Sequence, residues 1–337
     1  MSGSGSVLRM GVLGCADIAI RRLMPTIAGL DGVEVVAVAS RSRSKAEQVA
    51  GRFGCAAVTG YRDLLKRDDV EAVYIPLPPR LHYEWVAEAL QAGKHVLAEK
   101  PLCTTHVETV ELMAVARERG RVLAENFMFL HHSQHDAVRA MVAANAIGRL
   151  QVFSSSFGVP PLDPAGFRYQ PALGGGALLD VGVYPLRAAQ LFLPELEVLA
   201  ATLRYDETTG VDVAGSALLA APDGVAVQLA FGFDHSYRCE YALWGSTGRI
   251  AVDRAFTPPD QLKPPVRVER QDQATELAMP ADPQVRNAVR AFVQAVRSGV
   301  DGPIEERATL RQAQLVEAVR DVARVTGSPA RMLRAAG

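Results

Sequence analysis

The feature that most constrains this chain is an order. Over the first 126 of its 337 residues, short apolar runs alternate with amphipathic helical stretches. The runs are Arg9–Leu13, Val33–Ala39, Ala56–Val58, Ala72–Ile75, His95–Ala98 and Val122–Ala124, with helical patterns at Ser44–Phe53, Leu81–Ala92 and Thr105–Arg119. Several runs are apolar on both faces, as strands buried under helices must be. A repeated β–α order predicts an α/β domain with a doubly wound parallel sheet over residues 7–126. After residue 126 the texture changes. A helix at Gln134–Ala144 is followed by the alternating run Leu150–Phe157 and by a helix Gly176–Leu193 stopped by Pro194. Val198–Tyr205, Val213–Ala220, Val225–Phe233, Tyr237–Trp244 and Arg249–Val252 then read as strands. Pro222-Asp223-Gly224 and Gly245-Ser246-Thr247-Gly248 read as turns between them. Pro258–Pro265 reads as a surface loop, and helices at about Gln284–Ser298 and Glu305–Val325 close the chain. Residues 127–330 are therefore expected to form an α+β domain on a large, mostly antiparallel open sheet.

Charge and composition narrow the partners. A formal net charge of -1 gives no electrostatic footprint for nucleic acid or an anionic membrane. No apolar run reaches the ~18 residues of a membrane span. The start, MSGSGSVLRM, lacks the basic and apolar regions of a signal peptide and reads as a disordered lead, so a cytoplasmic location is expected. Cys15, Cys55, Cys103 and Cys239 form no C-x-x-C pair. They read as small buried hydrophobes rather than as zinc ligands or a disulfide framework.

The first strand–helix turn is Gly11-Val12-Leu13-Gly14-Cys15-Ala16-Asp17-Ile18-Ala19. It fits the Rossmann dinucleotide fingerprint G-x-G-x-x-G/A only with Ala16 in place of the second glycine. The motif alone leaves open a cofactor turn or an ordinary strand–helix turn. Its place in the first of several β–α units favours the cofactor, with backbone N–H groups near Ala16 facing a pyrophosphate. The end of the second strand says more. An NAD enzyme usually carries Asp or Glu there, and this chain has Ser40-Arg41-Ser42-Arg43. Arg41 can pair with a 2′-phosphate and Ser40 can donate to it, which predicts NADP(H). The alternative is a solvated basic turn. Pro76-Leu77-Pro78-Pro79 follows the strand ending at Ile75, with His82 just beyond; such loops wall a nucleotide site.

Two constellations carry candidate chemistry. The strand His95–Ala98 ends in Glu99-Lys100-Pro101, which places Lys100 at a ligand crevice. Burial or a neighbouring cation can tune a lysine for acid–base work, whereas such pairs are otherwise surface. The second is Gly174-Gly175-Gly176-Ala177-Leu178-Leu179-Asp180-Val181-Gly182-Val183-Tyr184-Pro185. Asp180 and Tyr184 are four apart and share a helix face. A carboxylate in that apolar setting needs a partner. The alternative is a helix whose Asp and Tyr simply meet solvent. His131 and His135 have i, i+4 spacing, but no third ligand motif accompanies them, and no metal is expected.

Together these segments resemble the Gfo/Idh/MocA oxidoreductase family. The marks are the Gly14 turn, Ala98-Glu99-Lys100-Pro101, Gly174–Tyr184 and Gly245-Ser246-Thr247-Gly248-Arg249-Ile250. The resemblance implies hydride transfer on a sugar-like carbinol with Lys100 as proton shuttle, and a cis Lys100–Pro101 bond. Tyr184 stands where many members carry histidine. With Gly14–Ala19, Glu125–His132, Phe256-Thr257-Pro258-Pro259 and Glu269-Arg270-Gln271-Asp272, it resembles nucleotide-sugar C-3 ketoreductases of antibiotic deoxysugar pathways. That likeness implies NADPH, a dTDP-linked 3-keto-6-deoxysugar, Lys100 as proton donor and Tyr184 as orienter or alternative donor. It implies Asp180 and Arg168 at the nicotinamide–substrate region, and Tyr237 and Thr257 against the nucleotide. The open sheet face suggests a homodimer or homotetramer. The alternatives are an NADP-dependent dehydrogenase of a free sugar or diol, an NADP(H)-binding sensor, and a sugar-binding module. The last leaves Ser40-Arg41 unexplained.

Overall fold

A computed structural model describes residues 7–299 and 303–326. Residues 1–6 of the expected lead, and 327–330 of the expected second domain, lie outside the described residues. The chain divides into two compact units, Met1–His131 with Gln284–Leu310 and His132–Pro283 with Arg311–Gly337.

The first unit is built on six parallel strands, β1 (Leu8–Leu13), β2 (Val33–Ser40), β3 (Ala56–Thr59), β4 (Ala72–Ile75), β5 (His95–Glu99) and β6 (Leu123–Asn126). Their order is β3-β2-β1-β4-β5-β6, the doubly wound arrangement that reverses beside β1. Helices between the strands have conventional signals. Ser42 Oγ accepts from Lys45 N at 3.4 Å to cap Arg43–Phe53, and Thr105 Oγ1 accepts from Glu108 N at 3.2 Å to cap His106–Arg119. Reading residues 127–330 as one domain misplaces one helix. Gln284–Ser298 turns Val289, Phe292 and Val293 into the core formed by Met10, Val12, Leu23 and Val38. Its apolar stripe covers a sheet face of the first unit, far away in sequence.

The second unit is built on a nine-stranded sheet among the described residues: β7 (Leu150–Gly158), β8 (Glu197–Tyr205), β9 (Asp212–Ala220), β10 (Ala226–Gly232), β11 (Arg238–Gly245), β12 (Arg249–Val252), β13 (Pro265–Arg270), β14 (Gln273–Ala278) and β15 (Ala323–Thr326). The order is β14-β13-β12-β11-β7-β10-β9-β8-β15, antiparallel except for β7·β10 and β8·β15. The expected hairpins at Pro222-Asp223-Gly224 and Gly245–Gly248 join β9 to β10 and β11 to β12. Three strands, β13 to β15, go beyond the expectation. The reading of Glu305–Val325 as one helix is corrected: the helix is Pro303–Val322, and Ala323–Thr326 pairs with β8. One face of the sheet is apolar, with Phe153, Phe157, Leu219, Leu229, Phe231, Tyr241 and Leu243 buried. Residues 177–190 form a helix on that face, where Gly182 lets the Phe231 ring approach.

Candidate active site

In the first unit the candidate residues gather at the carboxyl ends of the parallel strands, where an open α/β sheet places its ligands. The turn after β1 depends on Gly14. Its φ is +117°, and a Cβ there would meet Leu77 Cδ2 at 2.8 Å. Cys15 is buried with Sγ 3.9 Å from the Lys45 carbonyl, and burial pushes its thiol up. Ala16 and Ile18 are half-buried, and Asp17 is exposed and pairs with Arg21 at 3.5 Å. The helix begins at residue 17, with a widened π turn over Ala19–Leu23. Its free N–H groups and the glycine turn fit a pyrophosphate. At the end of β2, Ser40 is buried and its Oγ accepts from Ser42 N at 3.1 Å. Arg41 stands exposed beside the Tyr61 phenol, whose pKa burial raises against the pull of the Arg41 charge.

The end of β5 is a polar cluster. Tyr74 Oη donates to Glu99 Oε1 at 2.6 Å, and Asn126 Nδ2 donates to the same oxygen at 2.8 Å. Burial pushes the Glu99 carboxyl up, while these donors and the Lys100 charge act against it. Lys100 is half-buried, and the Lys100–Pro101 peptide is cis. The arrangement sets the Lys100 ammonium next in sequence to a buried, hydrogen-bonded carboxyl group at the carboxyl end of a parallel strand, where an open α/β sheet places its ligands. His82 needs a correction. It was expected to wall the nucleotide site, yet its ring is fully buried and both nitrogens lie against backbone carbonyls, Pro101 O at 2.8 Å and Leu77 O at 2.7 Å. It meets the loops from beneath.

In the second unit, Asp180 has the partner its apolar setting demanded. Arg168 Nε donates to Asp180 Oδ2 at 2.5 Å, and the guanidinium also lies 4.8 Å from the Phe167 ring centroid. Tyr184 is half-buried, edge-on to Phe157 at 5.1 Å and tilted to Phe256 at 5.5 Å. Next to Phe256, Thr257 Oγ1 and Tyr237 Oη share a hydrogen bond of 2.7 Å, and the Arg254 guanidinium lies 5.0 Å from the Tyr237 ring centroid. Tyr184, Tyr237 and Thr257 are thus linked through Phe256. His135 is buried, with Nδ1 2.9 Å from Tyr241 Oη and Nε2 3.0 Å from the Ala255 carbonyl, so its ring serves the core.

Sequence reasoning missed three supports. Tyr74 and Asn126 orient Glu99, though both lie in segments singled out for other reasons. Asp212 caps the helix of residues 177–190: its Oδ2 accepts from Leu178 N at 2.6 Å. Gly176, at φ +121°, leaves room for that carboxylate, since a Cβ would meet Asp212 Oδ1. The signal was a lone charge between Val211 and Val213.

Two family models match the chain. Residues 8–127 match the Gfo/Idh/MocA oxidoreductase family, NAD-binding Rossmann fold, and residues 135–251 match the Gfo/Idh/MocA C-terminal domain. A dTDP-3,4-didehydro-2,6-dideoxy-alpha-D-glucose 3-reductase of Streptomyces violaceoruber is 52% identical over 94% of this chain and 95% of its own. A reductase of the same name from Saccharopolyspora spinosa is 50% identical over 93% of this chain and 96% of its own. A 3-ketoreductase from Actinomadura kijaniata, solved in complex with NADP and TDP-benzene, superposes with a TM-score of 0.93 at 51% identity, covering 94% of this chain and 98% of that one.

Proposed function

The chain belongs to the Gfo/Idh/MocA oxidoreductase family, and from that premise we propose that it reduces the C-3 keto group of a dTDP-linked 3-keto-6-deoxysugar with NADPH. The observation that carries this is a likeness to dTDP-dideoxysugar 3-reductases that runs through both units. NADPH, when bound, supplies the hydride that reaches C-3. The chain's own residues do the rest. The Gly14 turn brings the backbone N–H groups of Cys15 to Ile18 to the pyrophosphate, Leu77 packs over that turn, and Ser40 and Arg41 hold the 2′-phosphate. Lys100 gives its proton to the C-3 oxygen as the carbonyl becomes an alcohol, and Glu99 steadies the ammonium. Tyr184 assists by hydrogen bonding to that oxygen. Asp180 and Arg168 line the nicotinamide and substrate, and Tyr237 and Thr257 meet the nucleotide.

The same reading places the enzyme in the cytoplasm as a homodimer or homotetramer. Among the described residues no helix is long and apolar enough to cross a membrane. The open sheet face exposes Leu218 and Trp244, and on this reading both belong to the self-association surface.

The test is NADPH consumption with a dTDP-linked 3-keto-6-deoxysugar, beside a Lys100→Ala control. Turnover that falls about 10²- to 10⁴-fold in the control supports the reading. Activity untouched by the change removes Lys100 from the mechanism. Reduction of NADP by free xylose or a dihydrodiol, with no action on the nucleotide sugar, would favour the free-sugar or diol reading. Cofactor binding without turnover on either would favour a sensor.

A further inference from the structure

His82 is fully buried, yet its ring nitrogens face two carbonyls that belong to different parts of the cofactor-side machinery. Nε2 is 2.7 Å from the Leu77 carbonyl, and Leu77 packs its side chain against Gly14, where a Cβ would sit 2.8 Å from Leu77 Cδ2. Nδ1 is 2.8 Å from the carbonyl of Pro101, the residue joined to Lys100. Burial and the nearby Lys100 charge push the imidazole below its ordinary pKa, with the carbonyl contacts acting the other way. A neutral ring has one N–H, so it donates to one carbonyl at a time. Both carbonyls are acceptors only, and each needs a donor when buried. The ring thus touches both the loop after β4 and the loop after β5, which are also linked at their outer side by Arg80 Nη1 donating to Thr104 Oγ1 at 3.3 Å.

We propose that His82 is a positioning residue that couples the Gly14 turn to Lys100, through Leu77 on one side and Pro101 on the other. The catalytic part rests on the reduction proposed above; the cofactor part does not. Substitution can separate the two sides. An asparagine amide nitrogen falls near the place of Nδ1 and can keep the Pro101 contact. A glutamine amide nitrogen falls near Nε2 and can keep the Leu77 contact.

The experiment compares His82→Asn and His82→Gln with the unaltered enzyme, reading NADPH dissociation constants by fluorescence and kcat by NADPH consumption. His82→Asn is expected to weaken NADPH about tenfold with a smaller loss of kcat. His82→Gln is expected to lower kcat ten- to about a hundredfold with a smaller loss of NADPH affinity. A merely structural histidine would lower melting temperature and active fraction in both variants, leaving affinity and turnover per active site alike. That outcome, or equal losses of both quantities in both variants, overturns the proposal. If the unaltered enzyme does not turn over the keto sugar, the reduction reading has failed. The NADPH affinities still decide the coupling: weaker for Asn than for Gln supports it, and equal values refute it.

Discussion

A carboxylate at the end of β2 would repel a 2′-phosphate, so Arg41→Glu tests the cofactor reading at one side chain. Losing a charge-assisted hydrogen bond worth about 1.5–3 kcal/mol predicts a KM for NADPH raised ten- to about a hundredfold. KM for NADH should move little, and the ratio of the two kcat/KM values measures the change. Equal loss with both cofactors would reject the role. Asp180 is the complementary case. Its ion pair with Arg168 is partly buried, so Arg168→Ala leaves a carboxylate in apolar surroundings without its guanidinium. The sequence reading of Arg41 rests on residue type and strand-end location, and that of Asp180 on a carboxylate in an apolar helical stretch, whose partner is Arg168. His82 was misread because proximity in sequence to a ligand loop does not say whether a ring faces the ligand or supports the loop.

At the scale of elements, the helix of residues 177–190 depends on an acceptor from β9. Asp212→Ala would leave the buried Leu178 N–H without a partner, costing about 1–3 kcal/mol. Thermal melting should fall by several degrees, and an unchanged melting point would show that the cap is dispensable. The burial of the carboxylate explains why it was hard to foresee: a partner 34 residues away leaves no local pattern. The parallel strands were legible because each is a short apolar run between helices. β13 and β14 were not, since Val266 is their one fully buried residue among Arg267, Glu269, Arg270, Glu276 and other polar neighbours. β15 was absorbed into the preceding helix pattern because its strand partner, β8, is distant in sequence.

At the scale of the whole molecule, buried neutral histidines predict acid lability. Burial pushes His135 from 6.5 down to about 3, and it lowers His82 and His131 as well. The unfolded chain takes up these protons first, so stability is fully present above about pH 6.5 and is lost as pH falls toward the folded pKa. Each such histidine contributes about 1.4 kcal/mol per pH unit within that window. Denaturant unfolding from pH 7 to 4.5 should show the slope, reduced by about one proton in His135→Gln; a flat profile would contradict it. The exposed Trp244 belongs to the same scale: Trp244→Glu is expected to lower the mass in light scattering, whereas an unchanged mass would place any interface elsewhere. The most direct test of the central claim follows the transferred atom. NADPH deuterated at C4 of its nicotinamide, incubated with the protein and a dTDP-linked 3-keto-6-deoxysugar, should leave deuterium on C-3 of the product beside a new hydroxyl group. Deuterium at any other carbon, or an unreacted nucleotide sugar beside an active free-sugar dehydrogenase, would contradict it.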